Sequence, residues 1–307
     1  MKRMFRNALY GTFSAIAVAV VWGLSFVAAR VVLSTLTPIL LATVRFSIAS
    51  LIFFPILLIE FRKGNRLRHR DLAELFLLGL LSISVYFWLQ YTGVKYVGAG
   101  VSALLVVGLT PIITGLASAF VLKENYSIRQ VLGTIVGLLG VVLTTMPGLF
   151  VGKVDWLFYL GVLCLLLNSL CWALYSTLSR RFLNRVTSSL MVTSYVTVLG
   201  TLGLIPMSLA SDWGLVKSLQ LGQWLSIFYL SFGCSCMGYF LWNFSLSRME
   251  AIRVAVWMYL EPVAAFIGEA LIFGMVPSEV TMIGGGAIIA GALLTSWSGH
   301  SHRVIDY

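Results

Sequence analysis

Charge is what this chain has least of. Of its 307 residues only 10% are Asp, Glu, Lys or Arg, while 59% are hydrophobic. A soluble globule needs roughly 25% charged residues to dress its surface, so the shortage excludes a soluble domain and leaves a surface that faces lipid. Histidine is nearly as scarce. His69, His300 and His302 lie in a loop and the C-terminal tail, and Cys164, Cys171, Cys234 and Cys236 sit inside apolar segments without a histidine at ligand spacing. That excludes the usual zinc sites, and the thiols read as small apolar packing residues. The chain contains no G-x-x-x-x-G-K-[ST] for an ATP motor and no G-x-S-x-G for a serine hydrolase. The expectation is therefore no enzyme activity, no catalytic residue, no metal, no cofactor and no nucleic-acid partner.

What is present is a succession of ten apolar segments at the roughly 20-residue length that crosses a bilayer. They cover 8–32, 37–59, 72–94, 98–122, 127–146, 155–179, 189–210, 221–246, 252–274 and 278–298. Turn formers such as Thr37-Pro38, Gly98, Pro147-Gly148, Ser211-Asp212 and Pro277 separate them. The first segment follows Lys2, Arg3 and Arg6 but is longer than the apolar core of a signal peptide, so it is kept as a helix. With the amino terminus inside, sixteen of the 21 Lys and Arg residues fall on inner loops and ends, and only Lys95, Lys153 and Lys217 fall outside. That asymmetry predicts cytoplasmic termini.

The pattern is also written twice. "WGLSFVAAR" at 22–30 and "WALYSTLSR" at 172–180 are 150 residues apart. Pro111 and Pro262, Gly133 and Gly284, and Gly140 and Gly291 are each 151 apart, and Gln90 and Asn243 are 153 apart. Five segments per copy is an odd number, so the second copy must enter the membrane upside down. The expected fold class is an all-α integral membrane protein of ten transmembrane helices, arranged as two inverted five-helix repeats over 8–146 and 155–298. Inverted repeats of this kind characterise secondary transporters.

"VVWGLSFVAARVVL" followed by "PILLATVRFSIASLIFFP" resembles the start of an EamA-type domain of the drug/metabolite transporter superfamily. The stretches "TPIITGLASAFVLKENYSIRQVLGTIVGLLGVVL" and "EPVAAFIGEALIFGMVPSEVTMIGGGAIIAGALL" resemble its paired fourth-to-fifth and ninth-to-tenth helices. The resemblance spans about 8–298. It implies a ten-helix bundle in a bacterial inner membrane that moves a small organic solute, often an amino acid, metabolite or drug, commonly outward; the alternatives are a metabolite uptake carrier or exchanger of the same fold, or a solute channel or sensor. This chain departs from it at Thr110 and Met275, where relatives often carry an acid.

Charges at membrane depth cost at least ~2.5–3.5 kcal/mol each and are candidates for function. Four qualify: Arg30, Arg45, Glu261 and Glu269. Glu261 falls near the middle of the segment 252–274, just before Pro262, which would free the carbonyl of Met258 as Pro111 would free that of Val107. Such loosened midplane points suit substrate or coupling ions. Trp257, Glu261 and Gly268 share one helix face, as do Asn168, Trp172 and Tyr175, and Trp22 reaches the same depth. The candidate binding set is Trp22, Thr110, Asn168, Trp172, Tyr175, Trp257 and Glu261, an aromatic wall with a carboxylate that suits a cationic amine; the alternative for the aromatics is interhelical packing. Glu261 either binds an amine, exchanges protons, or pairs structurally. Arg45 lies roughly 12 Å into its segment and either pairs with Glu261 or Glu269 or binds an anionic group. Arg30 and Glu269 share an outer depth, so they form a gate pair or Arg30 reaches the headgroups. The glycine runs in 127–146 and 278–298 pack within the chain or between two copies. Expected partners are a small-molecule solute and membrane lipids, with the protein a monomer or homodimer.

Overall fold

The computed structural model describes residues 2–62, 68–122, 128–145, 156–183, 189–246 and 257–296, and within them all regular structure is helical. The first half comprises α1 (Lys2–Leu33), α2 (Pro38–Arg62), α3 (His69–Gly79), α4 (Tyr86–Val97), α5 (Ala99–Leu122) and α6 (Ile128–Thr145). The second comprises α7 (Trp156–Leu183), α8 (Ser189–Ser208), the short α9 (Gly214–Lys217), α10 (Leu221–Phe228), α11 (Tyr239–Leu246), α12 (Leu260–Phe273) and α13 (Glu279–Ser296). Among the described residues five stretches are long and apolar enough to cross a membrane: Tyr10–Leu33, Pro38–Arg62, Arg70–Val97, Trp156–Tyr175 and Leu190–Ser208. The molecule is a multi-pass membrane protein, and rows of exposed leucines and isoleucines such as Leu132, Ile135 and Leu139 on α6 face outward where lipid lies.

Local chemistry sets the helix ends. Pro38 opens α2 with its φ preset, and the Thr37 hydroxyl accepts from the Leu40 amide at 3.4 Å. Asp71 closes the start of α3 by accepting from the Arg68 amide at 3.1 Å. Gly274 ends α12 in the left-handed conformation, φ 68°, with its amide donating to Ala270.

Two features had no visible signal in the sequence. α3 continues into α4 through a π-helical segment, Leu80–Val85, and α10 continues into α11 through a second one, Tyr229–Gly238. The apolar pattern does not register the change, because a lipid-facing or fully buried stretch has no strong hydrophobic periodicity to lose. The ninth apolar segment also differs from expectation. Residues 252–256 lie outside the described residues, and after a turn at Met258–Tyr259 α12 begins at Leu260. Pro262 therefore sits in a first turn, where an amide donor is not required. The Met258 carbonyl is not freed; it accepts from the Glu261 amide at 2.9 Å.

Helix pairing exchanges between the halves. α1 packs on α11 and α12, while α7 packs on α4 and α5; α2 packs on α8, α5 on α12 and α6 on α13. Under an offset of about 150 residues each pairing maps onto another or onto itself. At α2 and α8 the Ser50 and Thr201 hydroxyls, 151 positions apart, are hydrogen-bonded at 2.8 Å. The glycine runs of α6 and α13 face each other within the chain. A Cβ at Gly140 would lie 2.7 Å from the Gly284 carbonyl oxygen and 2.6 Å from the Ile288 amide nitrogen, and one at Gly291 would strike the backbone of Gly133 and Gly137. The two backbones touch, which is what small residues at a membrane helix contact permit.

Candidate functional site

The centre of the bundle is aromatic, and both halves build it. Trp22 of α1 meets Tyr239 edge-on and Trp242 at a tilt, both with ring centroids 5.7 Å away, and its indole N–H donates to the Cys234 carbonyl at 3.1 Å. Trp172 of α7 lies 5.3 Å from Tyr86 and 5.5 Å from Tyr175. Tyr86 and Tyr239 are 153 positions apart, the offset already seen for Gln90 and Asn243. Each tryptophan thus packs on a tyrosine of the opposite half. Repetition of Trp22 and Trp172 suggests that the two meet at the midplane; instead α4 and α11 supply their neighbours, because α1 packs on α11 and α7 on α4. Asn168 fixes that second pairing by donating to the Tyr86 carbonyl at 2.8 Å.

Two opposite charges border this cluster without pairing. Arg45 of α2 is 4% exposed; it donates to the Tyr91 hydroxyl at 2.5 Å and to Ser235 Oγ at 3.2 Å, with its guanidinium 4.9 and 4.6 Å from the rings of Phe46 and Phe87. Among the described residues no carboxylate pairs with it. Direct pairing with Glu261 or Glu269 is corrected for a geometric reason: α2 packs on α4 and the second π-helical segment, whereas both glutamates ride on α12. Glu261, 7% exposed, stands in the first turn of α12 with its backbone crossing α1 at Gly23, where a Cβ would meet the Glu261 carbonyl oxygen. No described residue hydrogen-bonds its carboxylate. The positive end of the helix dipole favours the anion at this place. The Tyr86 hydroxyl and Cys234 thiol are within electrostatic reach of both Arg45 and Glu261, and Tyr239 lies within reach of Arg45, Tyr86 and Tyr175.

A second polar cluster closes one end of the bundle. Arg30 and Glu269 form an ion pair, and the Glu269 carboxylate also accepts the Ala99 and Gly100 amides at 2.8 Å each, capping α5. Gly98 makes this approach possible with φ 98°, a conformation that side-chain-bearing residues rarely adopt. Arg30 further contacts the Phe273 ring at 4.7 Å and Met275 Sδ at 3.1 Å. Beside it an open cleft of about 330 Å³ is lined by Arg30, Ser34, Gln220, Gln223 and Phe273.

The remaining candidates are less engaged. The Thr110 hydroxyl bonds back to the Val106 carbonyl at 2.6 Å. Trp257 is half-buried, but the turn at Met258–Tyr259 interrupts the helical register, so it does not share a continuous helix face with Glu261 and Gly268. The side chains of Pro111, Arg180 and Asn243 lie outside the described residues. Tyr86, Tyr91, Ser235, Tyr239 and Trp242 join the candidate cluster; from sequence Tyr91 reads as interhelical packing or interfacial belt and the other four stand unmarked, although the 153-residue offset applied to the third segment finds the Tyr86 and Tyr239 pair.

Residues 9–146 and 159–297 each match the model of the EamA-like transporter family. The chain is 29% identical over 297 residues to an "Uncharacterized transporter" of Archaeoglobus fulgidus, covering 95% of this chain and 97% of that one. It is 27% identical over 286 residues to the "Probable amino-acid metabolite efflux pump" of Salmonella typhimurium, covering 91% and 92%. A third relative, 27% identical over 230 residues and 75% of each chain, is the "Probable terminal-alkyne amino-acid exporter" of Streptantibioticus cattleyicolor. A solved structure titled "Crystal structure of protein" superposes with a TM-score of 0.60 at 21% identity over 94% of this chain and 96% of its own, which shows likeness of fold.

Proposed function

Because the chain belongs to the EamA-like transporter family, it is a transporter rather than an enzyme, and we propose that it exports an amino acid or related amine-bearing metabolite by alternating access. The proposed frame is ten transmembrane helices in two inverted five-helix repeats, with both termini cytoplasmic in a bacterial inner membrane. The exchange of helix pairings under one offset supports it: the arrangement of one half against the other can be traded for its counterpart, opening the site to the opposite side.

The observation that carries the reading is the Glu261 carboxylate, unpartnered among the described residues, beside the two tryptophan–tyrosine pairs. Trp22, Trp172, Tyr175, Tyr239 and Trp242 pack ring on ring and are each only partly buried, which supports their offering aromatic surface to a ligand. A buried carboxylate with no cation beside it among the described residues is compensated by a bound cation or neutralised by a proton, and aromatic faces add cation–π attraction. In this reading Glu261 holds the ammonium group of the solute, or a proton in its place, so that the two compete for one carboxylate. Arg30 and Glu269 close the outer end while the solute is exchanged inside. The names of two relatives, a probable terminal-alkyne amino-acid exporter and a probable amino-acid metabolite efflux pump, support the solute class.

The test is transport in proteoliposomes by the wild type and by Glu261→Gln. Gln keeps the volume but loses both the charge and the exchangeable proton, so uptake of an amine-bearing solute falls at least tenfold and loses its pH dependence. Wild-type rates and wild-type pH dependence in the variant would sink the assignment.

A further inference from the structure

Arg45 presents the same problem as Glu261 with the opposite sign. Its guanidinium is held by two neutral hydroxyls, Tyr91 on α4 and Ser235 on the second π-helical segment, and neither supplies a negative charge. Phe46 and Phe87 cover it, and Nε has no partner among the described residues. The Ser235 hydroxyl spends its proton on the Leu230 carbonyl at 3.2 Å. The Tyr91 hydroxyl accepts from Arg45, and among the described residues no acceptor takes its own proton. An arginine in that state offers a planar fork of donors, beside a phenol that can still donate, to any group with two acceptor oxygens. The site is a built one, since the cation is buried and its supports come from three helical elements of both halves. It also borders the candidate solute region: the Phe87 ring that covers Arg45 lies 4.8 Å from the ring of Tyr86, on which Trp172 packs.

We infer that Arg45, with Tyr91, is an anion subsite that receives the carboxylate of the transported solute, so that the substrate is a zwitterion whose cation lies toward Glu261 and whose anion lies toward Arg45. This rests on the proposed carrier function and adds a requirement to it. A solute with both charges compensates both buried residues at once, whereas a plain amine leaves Arg45 unmatched. Tyr91 positions the guanidinium and adds one donor. Ser235 fixes the other Nη and ties it to the second half, so anion binding is sensed by both.

The experiment is a thermal-shift screen of the purified full-length protein against the common amino acids, each paired with the amine left when its carboxylate is removed and with the acid left when its amino group is removed. Chloride and inorganic phosphate are run as anion-only controls. The inference expects every stabilising probe to be a zwitterion, with its amine and acid counterparts at least tenfold weaker. Arg45→Gln is expected to weaken the stabilising zwitterion about 10- to 100-fold, the loss of one charge-assisted contact, and to make it no better than its amine. Tyr91→Phe keeps the ring and the fold, and it is expected to produce a smaller loss in the same direction if Arg45→Gln proves too unstable to purify. Amines that stabilise as well as their zwitterions overturn the anion subsite while leaving the Glu261 reading in place. A response to chloride or phosphate that no zwitterion exceeds also overturns it. A flat response to every probe overturns both.

Discussion

Replacing Glu269 by Gln changes one heavy atom and removes the charge from the ion pair with Arg30, which in the proposed topology closes the outer end. The carboxylate accepts from three donors, the Arg30 guanidinium on one oxygen together with the Ala99 amide, and the Gly100 amide on the other. A carboxamide has one acceptor oxygen, so if that oxygen keeps Ala99 its NH2 group faces the Gly100 amide, donor against donor at 2.8 Å. Hydrogen bonds to a charged group contribute about 1.5–3 kcal/mol each. The Arg30 side chain is 23% exposed, so its share is discounted for water. A combined loss of about 3 kcal/mol is reasonable, roughly a 100-fold shift toward the open end if these contacts exist only in the closed state. The assay places a cysteine at Val101, immediately beyond the capped amide, in a protein whose four native cysteines are replaced by serine. The rate of labelling by a membrane-impermeant maleimide from outside is then measured in vesicles. Glu269→Gln should raise that rate by up to about 100-fold, and Arg30→Met should raise it without adding to the first effect, because both break one contact. A rate within twofold of the parent in either variant would refute the latch.

Gly140→Ala and Gly291→Ala each put a Cβ against the backbone of the facing helix, which cannot rotate aside. Each is expected to lower the thermal stability of the purified protein by about 1–3 kcal/mol, while Gly286→Ala, which meets nothing within 4 Å, should leave it unchanged. Gly238→Ala would drive a methyl into the Trp22 indole nitrogen and tip it off the Cys234 carbonyl. Transport should weaken with the protein still assembled, and a normal apparent affinity for solute would show that Trp22 does not line the site.

Much of the fold was legible because a membrane removes alternatives. Apolar runs of bilayer length must be helices when no water is available to satisfy the backbone, and α2, α5, α6 and α10 begin within a residue of the apolar segments read from sequence. The proximity of Arg30 and Glu269 was legible for a related reason, since two unlike charges at one depth have few other partners. Arg45 was not legible in this way. Its contacts, Tyr91 and Ser235, lie on helical segments distant in sequence, and depth alone cannot say which neighbour a helix face meets. Pro262 misled because proline fits both a mid-helix kink and a first turn, and only the turn at Met258–Tyr259 decides between them. The aromatic site was half visible: Trp22 and Trp172 announced themselves by repetition, while Tyr86 and Tyr239 stood behind a different offset produced by the three-residue drift between the copies.

The central claim is that one site, built by both halves, opens alternately to the two sides of the membrane. Counterflow tests it directly: proteoliposomes loaded with an unlabelled solute identified by thermal shift are diluted into a trace of the same solute carrying label. A carrier predicts transient accumulation of label above its outside concentration, abolished in Glu261→Gln. Label that only equilibrates, at a rate linear in solute concentration, would mean a pore and would contradict the account.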